Sequence, residues 1–413
     1  MSVPVPIPVP APVRSRLLYV PFGLLNATIA GLLGIALPVL AGRPALAGAA
    51  GAVLSLGLAI GAPLAGWLST RVSATCVLAA SLFATGLAFL AFAVPQPCVF
   101  LGATFAVGLG ASVGLTLATL FVMGWYPKGR WDAQIGWLQT WMGAGQVLGL
   151  VAASVILERL GLVLLGAGLL LIAAAWAVWL PPPSTRGTTR RPRHQVRQPA
   201  RTEGVGVMDT HHLAAFHPRE WPILRHRPLL SFLVPWSVAQ LGTAPLFAFY
   251  PLLMAGRFGV PQREAAALFA LATLVGTGLY EPAGALTKRY GATVVLLMSY
   301  IVRGLALATV AIAILLHASV LWAGGGFVVI VVTWSFLAVA GNARIAALAP
   351  PGAAGAALGA VAAAATLARA AGNLAAGAVV AHVGYGWIVA VSAALLGAAA
   401  AWAACGPRGS DSR

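Results

Sequence analysis

Apolar runs of roughly twenty residues recur along the whole chain, and that length spans a bilayer core. They lie near 18–41, 46–68, 75–95, 99–124, 134–156, 160–180, 229–255, 263–286, 292–316, 319–341, 355–380 and 384–404. The connections between them are short and carry Pro, Gly or charge, as breaks between helices do. One connection differs. Residues 181–228 begin Pro-Pro-Pro-Ser-Thr-Arg-Gly-Thr-Thr-Arg-Arg-Pro-Arg, a stretch that cannot cross a membrane. The pattern predicts an all-α polytopic membrane protein of twelve transmembrane helices, arranged as two six-helix bundles. Long continuous runs of Ala, Leu and Gly exclude an outer-membrane barrel, whose strands alternate over short segments. The expected divisions are a Pro-rich arm at 1–17, a bundle at 18–181, a basic linker at 182–227, a second bundle at 228–404 and a tail at 405–413.

The two halves echo each other. The stretch from Gly66 to Ser81 matches that from Gly284 to Ser299 without a gap at Leu68/Leu286, Arg71/Arg289, Ala74/Ala292, Thr75/Thr293, Val77/Val295 and Leu78/Leu296. Gly86-Leu87-Ala88 then answers Gly304-Leu305-Ala306. In each copy a short basic break joins two apolar runs. A membrane chain built of two such halves predicts a transporter.

Composition and charge sharpen this. Of 413 residues, 60% are hydrophobic and 8% charged, too few charges to cover a soluble protein. The net charge of +17 invites a nucleic-acid reading. Its distribution argues against one. With the N-terminus in the cytoplasm, nineteen of the 25 basic residues fall on the cytoplasmic side, among them Arg14, Arg71, Lys128, Arg130, nine linker arginines, Lys288, Arg289 and Arg344. Four fall outside: Arg43, Arg159, Arg257 and Arg263. This asymmetry predicts that both termini are cytoplasmic. It reads the linker as a solvated loop beside anionic lipid, without the interleaved aromatics of a nucleic-acid module. The dispersed Cys76, Cys98 and Cys405 suggest neither disulfides nor a metal site. His211, His212, His217 and His226 in the linker form only a weak metal pattern. No phosphate-binding Gly-x-x-x-x-Gly-Lys-Ser/Thr loop is present, so energy is expected from an ion gradient. Gly110-Ala-Ser-Val-Gly114 matches a nucleophile-elbow string but lies inside an apolar run, so no enzyme is expected.

Twelve spans as six plus six, the basic linker and the repeated basic loops resemble the major facilitator superfamily. Its loop signature, Gly-x-Leu-x-Asp-Arg-x-Gly, is carried here by Gly66, Leu68 and Arg71, with Thr70 and Ser73 departing from it. The second copy carries Gly284, Leu286, Arg289 and Gly291, with Lys288 at the Asp position. Tyr126-Pro-Lys-Gly-Arg130 and Gly145-Gln-Val-Leu-Gly149 are similar to the family's 4–5 loop and fifth helix. The latter lacks the proline of the antiporter motif. Ile35-Ala-Leu-Pro38 is similar to helix one of drug-efflux members. The resemblance implies the major facilitator fold and a monomeric secondary transporter in a bacterial inner membrane. It also implies a small-molecule substrate, a proton or other coupling ion, and no cofactor. Proton-coupled export of small amphipathic compounds is the first expectation. Uptake or exchange of an organic anion or metabolite is the second, and a transport-inactive receptor or scaffold the third.

Three charges sit inside the predicted spans: Glu281, Arg303 and Arg369. Each costs about 2.5–3.5 kcal/mol at the bilayer centre unless paired or hydrated. Glu281 is spaced i, i+4, i+8 with Thr273 and Thr277, so a continuous helix puts them on one face. It is either a proton-coupling carboxylate or a partner of Arg303, Lys288 or Arg289. Arg369 shares a stripe with Thr366 and Asn373 and is either an anion anchor or a binder of helix-end carbonyls. Arg303 reads as structural, with a salt bridge toward Glu281. Uncharged stripes complete a candidate cavity: Asn26; Thr116; Gln139 and Gln146; Trp236, Gln240 and Tyr250; Thr277; and Asn373. Such residues either line a cavity or bond helix to helix. Pro38, Pro63, Pro235, Pro245 and Pro282 are expected to kink helices. Trp67, Trp125, Trp131 and Trp322 sit near span ends and read as interface anchors.

Overall fold

A computed structural model describes residues 19–69, 71–125, 131–156, 159–179, 226–350 and 354–405. The Pro-rich arm, most of the basic linker with His211, His212 and His217, Thr70, Tyr126–Arg130 and the tail lie outside the described residues. Every described element is helical. In chain order they are α1 (Val20–Ala41), α2 (Pro44–Ser69), α3 (Ala74–Ala91), α4 (Pro97–Trp125), α5 (Trp131–Ile156) and α6 (Leu160–Trp179). The second half contains α7 (Arg227–Phe258), α8a (Gln262–Gly278), α8b (Tyr280–Tyr290), α9 (Ala292–Leu315), α10 (Val320–Leu348), α11 (Ala354–Val383) and α12 (Tyr385–Cys405). Among the described residues, ten helices are long and apolar enough to cross a membrane, and α8a with α8b makes an eleventh as a bent pair. With α5, a helix of 26 residues that is not among those eleven, there are twelve rods, each overlapping one apolar run of the sequence.

The duplication seen in the sequence governs the packing. In the first half α1 packs on α5, α2 on α4 and α3 on α6. The second half repeats this with α7 on α11, α8a and α8b on α10, and α9 on α12. The halves meet through the equivalent pairs α2 with α11 and α8a with α5. Even the helix ends correspond. Gly42 and Gly259, which stop α1 and α7, have φ of 64° and 66°, a left-handed conformation that glycine adopts without a Cβ clash.

Two local features shape the helices around the centre. α1 widens to a π-turn over Ala27–Leu33, where Gly31 meets α5. A Cβ on Gly31 would lie 2.7 Å from Gly149 Cα, so only glycine permits this backbone contact. α8 breaks at Leu279 with a bend of 47°. Pro282 explains it: proline has no N–H to offer the Gly278 carbonyl, and its ring crowds that carbonyl. The outer surface is apolar, with Leu162, Leu169, Leu305, Leu315 and Leu321 exposed as a lipid-facing belt requires. Trp67 and Trp322 are exposed near helix ends, as the sequence predicts for interface anchors.

Candidate functional site

The helix ends fall into two sets. One set joins α1 to α2, α7 to α8a and α11 to α12; the other holds α8b and the breaks near Arg71 and Gly291. Near the first set the halves are in tight contact. A Cβ on Gly48 of α2 would lie 2.6 Å from Gly377 Cα of α11. One turn along, Gly51 faces the side chain of Asn373, and a Cβ there would lie 2.9 Å from its Nδ2. Further in, Gly143 of α5 abuts Thr277 of α8a. Toward the second set, α8b packs against α9 and α10 of its own half. There Trp137, Gln139 and Thr140 of α5 are exposed. The halves are thus pinched at the first end and diverge toward the second.

Arg369 sits beside the pinch. It lies one turn from Asn373 on the same face of α11, the face turned to α2. Asn373 is buried and its Oδ1 has no hydrogen-bond partner. Arg369 is exposed, and with the described residues it makes no hydrogen bond or ion pair. A cation on the α2-facing side of α11 thus has no counterion among the described residues.

Arg303 of α9 differs in kind. It is 2% exposed, and its Nε and Nη2 donate to the Ile330 carbonyl of α10 at 3.1 and 2.7 Å. Its guanidinium faces the rings of Phe247 and Trp334, each at 5.7 Å. Arg369 lies within its electrostatic range. Trp334 also lies beside Tyr280 at the α8 break. Ser335 donates to the Gly276 carbonyl on the other side of that break at 2.6 Å. A connected set therefore runs from the break in α8 through α10 to α9. The expected Arg303–Glu281 salt bridge does not form, because the guanidinium is turned into α10 while Glu281 is exposed on α8b. Glu281 makes no ion pair or hydrogen bond with the described residues, Lys288 and Arg289 included. Its predicted stripe with Thr273 and Thr277 is also interrupted, since the bend puts it on a separate helix. The two threonine hydroxyls bond back within α8a, to Phe269 and Thr273 carbonyls, each at 2.8 Å.

The other candidates divide. Asn26 ties α1 to α5 through Nδ2 to the Met142 carbonyl at 2.7 Å. Thr116 and Gln146 are half-buried and Gln139 is exposed, on helices bordering the gap. Gln240 is buried in α7. Trp236 stacks on Phe232, leans on Trp334 and closes over Gly341. Tyr250 does not border the gap. It is fully buried and stacked on Phe327 with ring centroids 3.4 Å apart, inside a cluster with Phe269. In the loops, Arg71 lies over Trp67 at 4.3 Å and Arg289 over Tyr290 at 5.1 Å. Gly66 is buried, Leu68 and Gly284 half-buried and Leu286 exposed, while Gly291 ends α8b at φ 85°. Tyr280 and Trp334 are absent from the sequence-based candidates. A signal existed: Thr333-Trp334-Ser335 is a polar-aromatic interruption in the aliphatic run of α10.

The chain can now be set beside known proteins. The Major Facilitator Superfamily model matches residues 20–372. The nucleoside transporter NupG superposes with a TM-score of 0.70 at 13% identity, covering 95% of this chain and 96% of its own. The D-xylose-proton symporter gives 0.72 at 13%, covering 95% and 97%. The human organic anion transporter MFSD10 (TETRAN) gives 0.64 at 18%, covering 95% and 100%. At these identities the likeness is one of fold alone. No curated protein matches the chain.

Proposed function

This chain belongs to the Major Facilitator Superfamily, and from that premise we propose that it is a secondary active transporter of small organic anions. The observation that carries the cargo class is Arg369: a cation with no counterion among the described residues, on the face of α11 turned to the other half beside their pinch. No carboxylate among the described residues pairs with Arg369 or with Arg303. A buried or half-hydrated cation held this way is offset by an anionic ligand. The halves rock about this point, exposing it to either side in turn. The distribution of basic residues puts both termini in the cytoplasm, so the pinched end is the outer one and the gap opens inward. The chain acts as a monomer in a bacterial inner membrane, and its basic linker meets lipid, not nucleic acid. Two relatives in fold support the reading in kind, one named an organic anion transporter and one a proton symporter.

A second reading is proton-coupled export of amphipathic compounds. The aromatic side chains of Trp236, Phe247 and Trp334 favour it, with Glu281, which has no partner among the described residues, as the proton-binding group at the α8 break. One experiment separates the two. Proteoliposomes with an imposed pH gradient are tested for flux of anionic and of uncharged or cationic amphipathic probes, in wild type, Arg369→Ala and Glu281→Gln. The anion reading expects anion flux in wild type and its loss in Arg369→Ala. Anion flux that survives Arg369→Ala overturns it. Amphipath flux lost only in Glu281→Gln supports the second reading. Flux of no probe in wild type favours a receptor or scaffold.

A further inference from the structure

The seam between α2 and α11 holds two polar groups with nothing to bond. Asn373 of α11 is 6% exposed, and its Oδ1 is buried with no partner. A Cβ built on Gly51 of α2 would lie 2.9, 3.1 and 3.2 Å from its Nδ2, Cγ and Cβ, so the side chain is pressed against the α2 backbone. Gly48 against Gly377 and Gly51 against Asn373 fix the pairing: residue numbers rise along α2 as they fall along α11. The next turn of the same α2 face carries Ser55. Ser55 is 5% exposed and makes no hydrogen bond with the described residues. Every other buried serine and threonine among them donates to a carbonyl. Two orphaned groups thus fall one turn apart on the seam that closes the outer end.

We propose that Asn373 and Ser55 bias this seam against staying shut, and so set the balance between the pinched arrangement and the one open to the outside. This rests on the reading that the halves rock about the pinch. A buried polar group is normally paired. One left without a partner has given up its bonds to water and gained none, and an apolar surrounding makes that loss larger. In the pinched arrangement Asn373 Oδ1 is in that position. When α2 and α11 part, water reaches both groups and the penalty ends. The penalty thus falls on one arrangement alone, which is the condition for shifting an equilibrium between two. The glycines of the seam act in the opposite sense, since close backbone contact favours closure. The orphaned groups offset that attraction and keep the outer end able to open.

The test is pulsed dipolar spectroscopy on the purified full-length chain without ligand. Spin labels are placed at Gln96 and Leu316, exposed residues of the α3–α4 and α9–α10 links, with the native cysteines replaced by serine. These links lie at the outer ends of the two halves, so a short distance reports the pinched arrangement and a long one the open. Asn373→Leu keeps the size of the side chain and removes the acceptor. It is expected to raise the short-to-long ratio about fivefold or more, the low end of the penalty for one unpaired buried group. Ser55→Ala is expected to raise it about threefold and serves if Asn373→Leu does not fold. Ser112→Ala removes a hydroxyl already bonded, to the Leu58 carbonyl at 2.7 Å, and is expected to leave the ratio unchanged. A ratio that Asn373→Leu leaves unmoved or lowers, or Ser55→Ala where that variant serves, overturns the inference and leaves the rocking in place. So does a shift in Ser112→Ala as large as that in Ser55→Ala. A single distance common to wild type and every variant removes the rocking as well.

Discussion

Three residues of similar standing in the sequence prove unlike in the structure. Arg303 and Arg369 are both arginines in apolar spans, yet one is packed against α10 and the other faces the gap. Tyr250, on an aromatic-rich stretch of α7, points into the core of its own half. Its hydroxyl has no partner there, which costs about 1–3 kcal/mol. Tyr250→Phe is therefore expected to raise thermal stability in detergent by about that free energy and to leave ligand affinity unchanged. A drop in affinity, read by calorimetry, would return Tyr250 to the ligand. The charges inside spans were legible because a membrane makes them conspicuous. Which side of a helix they occupy was not. Inside a bundle and beside a cleft the neighbours are equally apolar, so periodicity alone does not distinguish the two.

At the scale of elements, eleven of the twelve runs map onto described helices long and apolar enough to be spans, and the twelfth, α5 with Gln139 and Gln146, is helical without being among them. α8 departs from the one continuous helix that its apolar run predicts. The sequence marks a kink at Pro282, but its effect on the stripe through Thr277 and Glu281 depends on where the break falls, and the structure puts it at Leu279. Ser335 bonds to the Gly276 carbonyl on one side of that break, and Trp334 lies beside Tyr280 on the other. Pro282→Ala restores an N–H for the Gly278 carbonyl and is expected to straighten α8. Spin labels at Gln262 and Lys288 would then move apart by about 3 Å, from the rise of 1.5 Å per residue and loss of the bend, measured by pulsed dipolar spectroscopy. An unchanged distance assigns the bend to the α10 contacts instead.

For the whole molecule, the internal repeat gave the architecture in advance, since each helix contact in one half has its counterpart in the other. Orientation can be checked with the protein's own cysteines. Cys98 lies at the start of α4, near the pinched end, while Cys76 and Cys405 lie near the other, and all three are exposed. A membrane-impermeant maleimide added to intact cells is expected to label Cys98 alone, with Cys76 and Cys405 reacting after permeabilisation. The reverse pattern would invert the topology and make the pinched end cytoplasmic. The pinch itself is made of Gly48 against Gly377, two backbones with no side chains between them. Even the single carbon of an alanine at Gly48 would lie 2.6 Å from Gly377 Cα, so the smallest side chain placed in this seam wedges the outer end apart and leaves the two halves unable to close there.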